Sequence, residues 1–393
     1  MEIDHEIIDD TIKLRRYFHQ NPELGMEEYN TSAKIIEELE NLGLTVKKNI
    51  ANTGVMGFLE GEKPGKTVLL RADMDALPIQ DEKDVPYASK VSDKMHACGH
   101  DAHTAILLGV ASVLAEKKDK LSGNVKFIFQ PAEETIGGAE KMINQGVLND
   151  LEEVDYALAL HMDTSQPTGN ISISMGVSNA SSDMFSIVLK GKGTHGAKPE
   201  SGIDVLLMAG QLINNIQGIV SRNIAPSETA VLTIGKIEGG QAANVIPEKI
   251  RLDGILRTLN QDTRNLILKK LEDHLEGLVK MHGGTYDLQV ESGYPSLIND
   301  EHIAEIVKKK GEDLLGEDKI KICENPSMGV EDFAYFLQEV PGVMWYLGCG
   351  NKDKGAHYPG HNPKFDIDED ALEIGIKMQV ALTMKLLNHN SNS

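Results

Sequence analysis

The 393-residue chain is poor in cysteine, in aromatic residues and in long apolar runs. Its three cysteines are too few and too scattered for a disulfide framework, which argues against a disulfide-stabilised secreted protein and favours a reducing compartment. No apolar run approaches the ~20 residues that a membrane-spanning helix needs. The N-terminal segment MEIDHEIIDDTIKLRR has no apolar core and is acidic from the start, so it predicts no secretory signal. We therefore expect a cytoplasmic protein without a membrane partner.

Basic residues are also scarce relative to acidic ones, 39 against 60, which gives a formal net charge of −21. A chain this acidic repels phosphate backbones, so nucleic acid is not expected as a partner. The same field disfavours a free anionic substrate unless a local cation offsets it. The composition is otherwise that of an ordinary globular protein, and the length suits two domains.

Apolar runs typical of strands alternate with helical patterns over the first 180 residues and again near the end of the chain. This alternation predicts an α/β core with a largely parallel sheet, in which ligands gather at the carboxyl ends of the strands. Polar side chains directly follow several of these runs, namely Asp73, Asp75, Glu133, Glu134 and His161. The sequence therefore predicts a polar site at that edge of the sheet.

Between residues 181 and 291 the pattern changes to β-α-β-β-α-β, which is the ferredoxin-like order. About 110 residues is a plausible size for an inserted domain. We therefore predict two domains. The first is a discontinuous catalytic domain over 1–180 and 292–393, with a mixed, mostly parallel sheet flanked by helices. The second is an inserted α+β domain over 181–291. The polar C-terminal tail is expected to fray.

The most informative segment is MHACGHDAHT, residues 95–104, which places Cys98 between His96 and His100 and adds His103. Thiolate and imidazole bind borderline-soft divalent metals, and the intervening glycine lets Cys98 and His100 face one point. This spacing favours a metal site over a cysteine buried as a small apolar residue. A cysteine nucleophile with a histidine base is an alternative, which would require a depressed thiol pKa and no metal competing for the sulfur.

A second segment, FIFQPAEET at residues 127–135, ends an apolar strand in two adjacent carboxylates, Glu133 and Glu134. Pro131 removes a backbone donor and ends the strand, so it determines where the pair points. Because adjacent side chains diverge, one carboxylate can hold a metal while the other moves protons. Together with the Cys/His segment, this pair suggests a metal-assisted hydrolase.

Further candidate ligands are less specific. His161 closes the apolar run YALALH, where a lone histidine is more often a satisfied polar group than a ligand. In the turn-rich loop AHYPGHNPKF, spacing alone does not choose between His357 and His361. Asp73 and Asp75 have two interpretations. They form an acidic turn after a strand, or one of them orients an imidazole that binds metal.

The inserted unit carries three candidates of its own. His195 lies in a glycine-flanked turn, Asn244 in the segment GGQAANVIP, and Arg257 in the strand ILRT. The first two are common turn residues, and a strand arginine is commonly a surface residue. If Arg257 is functional, its guanidinium offers a bidentate fork for a carboxylate and supplies the cation that an anionic substrate needs.

Eight blocks in one order resemble a known family, and the resemblance covers nearly the whole chain. The blocks are LRRYFHQNPELGMEE, RADMDALPI, MHACGHDAHT, FQPAEE, GKGTHGAKPE, GGQAANVIP and the C-terminal pair VEDFAYF and HNPKFDIDE. The chain is similar to metal-dependent amidohydrolases of the peptidase M20 family. The similar subgroup contains hippurate hydrolases, bacterial aminoacylases, N-acetyldiaminopimelate deacetylases and plant auxin-amino-acid hydrolases.

The resemblance implies a two-metal site with five ligands, in which Cys98 bridges the metals, Glu134 and His361 complete one site, and His100 and His161 complete the other. It further implies that Glu133 is the general base and that Asp75 orients His100. The wider family has an aspartate bridge where this subgroup has cysteine. Zinc is therefore the first expectation for both metals, with manganese, cobalt or nickel as alternatives.

The resemblance also implies that the inserted domain is a lid and dimerisation domain. His195 would reach the active site of the partner subunit and hold the oxyanion, while Asn244 and Arg257 would bind the substrate carboxylate. Gly329, next to Met328, would line the pocket. The expected assembly is a homodimer, or a higher homo-oligomer.

The resulting expectation is hydrolysis of the amide bond of a small N-acyl amino acid, releasing a free amino acid and a carboxylic acid. One alternative is a metal-dependent dipeptidase or carboxypeptidase, and a dipeptidase would have to recognise a free α-amino group. The other alternative is a non-catalytic binding protein that retains the fold.

Overall fold

The computed structural model describes residues 2–388, so the C-terminal tail for which fraying is predicted lies outside the described residues beyond Asn388. The described chain divides into two compact units. The first comprises the residues up to Gly176, Ile298–Asn325 and the chain from Asp332 onward, and the second comprises Val177–Leu297 and Pro326–Glu331.

Helices and strands alternate through both units. The α-helices within residues 2–388 are α1 (His5–Gln20), α2 (Tyr29–Asn41), α3 (His100–Ala115), α4 (Ala139–Asn144), α5 (Val205–Gly218), α6 (Gln261–His282), α7 (Glu301–Leu315), α8 (Ala334–Glu339) and α9 (Asp370–Leu387). The strands are β1 (Thr45–Ile50), β2 (Gly54–Glu60), β3 (Lys63–Asp73), β4 (Ser122–Gln130), β5 (Tyr156–Pro167), β6 (Ile171–Ile173), β7 (Val177–Asn179), β8 (Ser181–Lys190), β9 (Thr194–His195), β10 (Ala230–Gly239), β11 (Val245–Ile246), β12 (Lys249–Thr258), β13 (Thr285–Ser292), β14 (Leu297–Ile298), β15 (Ile320–Ile322) and β16 (Gly342–Gly350).

The first unit is built on an eight-stranded sheet in the order β1-β2-β4-β3-β5-β16-β6-β15. Its centre is parallel, because β4, β3, β5 and β16 pair in that sense. Antiparallel pairs flank this centre, with β1 and β2 on one side and β6 against β16 on the other. The prediction of an α/β fold with a mixed sheet is therefore confirmed.

Two element boundaries differ from the prediction and bear on the site. Helix α3 begins at His100, four residues before the helix that the apolar pattern of residues 104–114 predicts, because Gly99 in a left-handed conformation (φ 92°) turns the chain directly into the helix. Strand β5 does not end at His161, as the apolar run suggests, but continues to Pro167 because β16 pairs with it as far as Gly350. His161 therefore projects from within a strand.

The second unit has a four-stranded antiparallel sheet in the order β10-β12-β8-β13. Along the chain, these four strands and the two helices follow in the order β8-α5-β10-β12-α6-β13, with the two-residue strand β9 after β8 and the two-residue strand β11 after β10. Apolar residues of α5 and α6 pack with inward-facing residues of the strands in one core, which contains Leu212, Ile267, Leu189 and Leu252. Because successive side chains of a strand point to opposite faces, the other face of the sheet carries exposed side chains such as Met184 and Ile255.

The bounds of the second unit differ from the predicted 181–291. Residues 326–331, assigned to the catalytic domain from the sequence, belong to this unit. The backbone N–H of Ala180 donates to the carbonyls of Ser327 and Gly329, and the N–H of Ser327 donates to the carbonyl of Ser178. These bonds join segments about 150 residues apart, which no local pattern reveals.

Across residues 2–388, no helix combines the length and the apolar character that crossing a lipid bilayer would require.

Candidate metal centre

Five side chains of the first unit form two overlapping donor sets. The ligand atoms of Cys98, His100 and His161 lie within 4.8 Å of one another, and so do those of Cys98, Glu134 and His361. Both sets share the Cys98 sulfur. The structure thus brings together residues that are separated by as many as 263 positions in the sequence.

The turn at Gly99 places the sulfur against β5. A side chain on Gly99 would meet the Cβ atom of Met162 at 3.1 Å, so the close approach of the turn to the strand depends on glycine. The Sγ atom of Cys98 lies 3.6 Å from Nε2 of His161. Nδ1 of His161 lies 2.8 Å from the carbonyl oxygen of Met162 and donates to it, which directs Nε2 to the sulfur.

His100 is the buried first residue of α3 and has one nitrogen free for a ligand. Its Nδ1 donates to the main-chain oxygen of Asp75 at 2.9 Å and lies 3.3 Å from the Asp75 carboxylate. Its Nε2 has no hydrogen-bond partner among the described residues. A buried acceptor without a partner is costly, and a metal would satisfy it. This donor set of one thiolate, three imidazoles and a carboxylate therefore fits divalent metal ions.

Glu134 and His361 meet at the open side of the cluster. Nε2 of His361 lies 3.0 Å from Oε1 of Glu134. The backbone of His361 has a positive φ of 63°, and its N–H donates to the carbonyl of Ala97 at 2.7 Å. His357 instead stacks on Tyr358, with ring centroids 4.4 Å apart. The structure thus selects His361 where sequence spacing could not.

The electrostatics of the cluster favour a thiolate. Burial works against ionisation of Cys98, but the neighbouring His161, His100 and His361 outweigh it and lower the pKa of the thiol to about 6. Hydrogen bonds to Cys98 and Glu134 raise the pKa of His361 to about 10. Since the thiolate is both the metal ligand and the reactive nucleophile, this shift is consistent with either hypothesis for Cys98.

The loop after β4 carries the two glutamates, and two buried carboxylates hold it. Oε1 of Glu28 accepts the N–H of Ala132 at 2.9 Å, where the chain adopts a positive φ of 56°. Oδ2 of Asp75 accepts the N–H of Glu134 at 3.0 Å. Asp75 therefore contacts both His100 and the glutamate loop. Glu133 is 8% exposed, and its carboxylate lies within 4.8 Å of the ligand atoms of His100 and Glu134.

Asp332 supports the far end of the same loop, and the sequence does not single it out. Its Oδ2 accepts the N–H groups of Gly138 and Ala139, each at 3.0 Å. Its Oδ1 accepts from Arg71 at 2.9 Å and from Gln130 at 2.8 Å. Asp332 lies in the block VEDFAYF and Glu28 in the first block, but no spacing rule connects either to residues 130–139.

His96 and His103, the remaining histidines of the Cys/His segment, lie outside the two donor sets that share Cys98. His96 is buried with its ring centroid 6.5 Å from that of His19, and burial lowers its pKa to about 3. His103 is hydrogen-bonded to Asp73 and to the backbone of Met162.

In the second unit, two of the four candidates are neighbours. His195 pairs with Val245 between β9 and β11, and the N–H of Gly196 donates to the carbonyl of Asn244 at 2.7 Å. Both side chains are exposed. Arg257 lies on β12, where burial lowers its pKa and its Nη1 has no hydrogen-bond partner among the described residues. Gly329 lies in the segment 326–331, bonded through its carbonyl to Ala180.

Comparisons with known proteins show to which family the chain belongs. The model of the family described as "Peptidase family M20/M25/M40" matches residues 69–385. "Thermostable carboxypeptidase 2" of Saccharolobus solfataricus is 40% identical over 391 residues, covering 98% of this chain and 97% of that protein. "N-acetyl-L-cysteine deacetylase" of Bacillus subtilis is 38% identical over 384 residues, covering 97% of this chain and 89% of that protein.

A solved structure extends the likeness to three dimensions. The Bacillus subtilis YXEP protein, described as a dinuclear metal binding peptidase from the M20 family, superposes with a TM-score of 0.87 at 32% identity, covering 98% of this chain and 100% of that one. The predicted family is therefore confirmed, and with it the prediction of an enzyme that hydrolyses amide bonds. Because the family model matches residues 69–385 and relatives align along almost the whole chain, this protein is a member of the M20/M25/M40 peptidase family.

Proposed function

We propose that this enzyme hydrolyses the amide bond of N-acyl amino acids in a two-metal site centred on Cys98. The observation that carries the proposal is the pair of donor sets sharing one sulfur, with the Glu133 carboxylate beside them. The relative that deacetylates N-acetyl-L-cysteine supports this substrate class. The relative described as a dinuclear metal binding peptidase supports the number of metals.

In this proposal Cys98, His100 and His161 would hold one metal ion, and Cys98, Glu134 and His361 would hold the other. The mixture of thiolate, imidazole and carboxylate favours zinc, with manganese, cobalt or nickel as alternatives. All three cysteines are free, and Cys98 must stay reduced to bind metal. A reducing compartment, the cytoplasm, is therefore the proposed location.

Bound metal ions would polarise the amide carbonyl and lower the pKa of a water molecule towards neutrality. Glu133 takes a proton from the attacking water and then delivers it to the leaving amine nitrogen. Asp75 supports this step, because its main-chain oxygen accepts from Nδ1 of His100 and its Oδ2 accepts the backbone N–H of Glu134. Both the base and the ligand next to it are thereby held in place.

The second unit is proposed to act as a lid and as the dimerisation domain of a homodimer. His195 would stabilise the oxyanion in the active site of the partner subunit. Arg257, whose Nη1 has no partner among the described residues, and Asn244 would bind the substrate carboxylate. Gly329 would line the acyl pocket without adding a side chain.

The test of the proposed function is hydrolysis of a panel of N-acetyl, N-benzoyl and long-chain acyl amino acids after reconstitution with each metal. We expect metal-dependent release of the free amino acid, abolished by chelation and restored by metal. Metal binding with no turnover on any member would favour the non-catalytic alternative.

A second candidate function is that of a carboxypeptidase, because two carboxypeptidases of Saccharolobus solfataricus are 39–40% identical over almost the whole chain. Including peptides with blocked and with free amino termini in the panel separates the two. His161 in place of a carboxylate leaves less negative charge to attract an ammonium group, so we expect faster hydrolysis of acylated substrates. Faster hydrolysis of peptides than of N-acyl amino acids would support the carboxypeptidase, and a preference for free dipeptides would support the dipeptidase alternative.

His195→Ala should lower kcat by roughly 100-fold with little change in KM, because loss of one oxyanion donor acts mainly on the transition state. If His195 acts across the dimer, mixing this variant with inactive Glu133→Gln and allowing subunits to exchange should restore activity. One site of each mixed dimer would then contain Glu133 from one subunit and His195 from the other. Unchanged kinetics would remove His195 from the site, and an inactive mixture would assign it to its own subunit.

A further inference from the structure

His103 is buried beside the proposed metal centre, yet both of its ring nitrogens are engaged by the protein. Its Nδ1 lies 2.6 Å from Oδ1 of Asp73, and its Nε2 accepts the backbone N–H of Met162 at 2.9 Å. Because Nε2 is an acceptor, the ring carries its proton on Nδ1 and donates it to Asp73. His103 therefore has no nitrogen left for a metal, although its ring lies near that of His100.

His103 bonds to Met162 in a part of β5 that is no longer paired with β3. Strands β3 and β5 pair from Val68–Tyr156 to Arg71–Ala159, so within residues 2–388 strand β5 has no paired β3 residue beyond Ala159. A buried N–H there would be unsatisfied without a side-chain acceptor. His103 reaches the N–H from the first turn of α3.

Met162 connects this bond to the proposed ligand next to it. Its carbonyl accepts the Nδ1 proton of His161, which turns Nε2 of that ring towards Cys98. The side chain of Met162 also lies against Gly99, in the turn that carries Cys98. The position of the Met162 backbone thus sets the orientation of His161 and the placement of the turn.

Asp73 is itself held firmly. Arg71 donates to its Oδ2 at 2.7 Å, and the hydroxyl of Thr104 donates to its main-chain oxygen at 3.1 Å. A continuous series of contacts therefore runs from β3 through Asp73 and His103 to the backbone of β5.

We infer that His103 is a positioning residue for His161, acting through the Met162 peptide, and that it selectively supports the metal position formed by Cys98, His100 and His161. This inference rests on the proposed function, because it assumes that these side chains bind metal. The other position is completed by Glu134 and His361, neither of which is bonded to the Met162 peptide.

The test compares His103→Gln with His103→Asn, two amides that differ in reach. Glutamine can place its oxygen near the former Nε2 and accept the N–H of Met162, whereas asparagine reaches only the position of Nδ1 and leaves that N–H unpaired. Metal-free protein is titrated with Co²⁺ and followed by calorimetry and by visible absorption. We expect His103→Asn to weaken one of two binding events by about 10–100-fold, and His103→Gln to restore most of that loss.

Two ligand variants serve as references. His161→Ala should remove the same binding event that His103→Asn weakens, and His361→Ala should remove the other. Equal weakening of both events in His103→Asn, or failure of His103→Gln to restore the first, would overturn the inference. If neither reference variant changes Co²⁺ binding, the proposed metal centre itself is wrong, and that outcome is distinct from failure of the inference alone.

Discussion

Glu133→Gln should lower amide hydrolysis by roughly 10²–10⁴-fold while leaving metal binding intact, because general acid–base catalysis contributes about that much. Glutamine keeps the size and polarity of the side chain but cannot take up and release the proton. Glu133 is nearly buried beside the donor sets, so bulk water cannot readily replace its carboxylate as the proton acceptor. The measurement is kcat at saturating N-acyl amino acid together with a count of bound metal ions.

The adjacent residue provides the matched control. Glu134→Gln removes a carboxylate that contacts His361, and we expect it to weaken metal binding as well as activity. Two neighbouring substitutions of the same chemistry should thus separate proton transfer from ligation. Near-normal turnover of Glu133→Gln would refute the base assignment, and full metal binding by Glu134→Gln would remove Glu134 from the ligand set.

Arg15→Met should destabilise the first unit by about 3–5 kcal/mol, which is the usual cost of leaving buried charges without their partner. The Arg15 side chain is fully buried, and its guanidinium pairs with Asp101 at 2.9 Å and Asp366 at 2.7 Å. A third carboxylate, that of Glu369, lies 3.4 Å away. Removing the cation would leave these acidic groups facing one another in a buried site.

The chain offers a convenient readout and a control for this prediction. Trp345 is the only tryptophan, is fully buried and lies on β16 of the first unit, so its fluorescence during urea denaturation reports on that unit. Arg16→Met removes an arginine whose side chain is 48% exposed and pairs with Glu369. We expect that exposed pair to contribute less than about 1 kcal/mol. Equal destabilisation by the two substitutions would contradict the importance assigned to the buried cluster.

The stability of this cluster also matters for the site. Arg15 joins α1 to Asp101, which follows His100 directly, and to Asp366, which lies five residues after His361. Loss of the arginine should therefore loosen both segments that carry proposed ligands. Weaker Co²⁺ binding by Arg15→Met at temperatures where it remains folded is the corresponding expectation.

The sequence revealed the type of chemistry because that information is local. Cys98, Gly99 and His100 are adjacent, so the close placement of sulfur and imidazole follows from one turn, and the family resemblance rests on short blocks. The α/β class was predictable for the same reason, since periodic burial marks strands and helices such as α6 and β16 without reference to the rest of the chain.

Tertiary structure alone decided how distant segments meet. The choice of His361 over His357, the continuation of β5 past His161, and the bond from His103 to Met162 each depend on which strands become neighbours. Arg15 and Asp366 are 351 residues apart, and nothing in their own surroundings marks them as partners. Local periodicity encodes which face of an element is buried, whereas the identity of what it is buried against is set by topology.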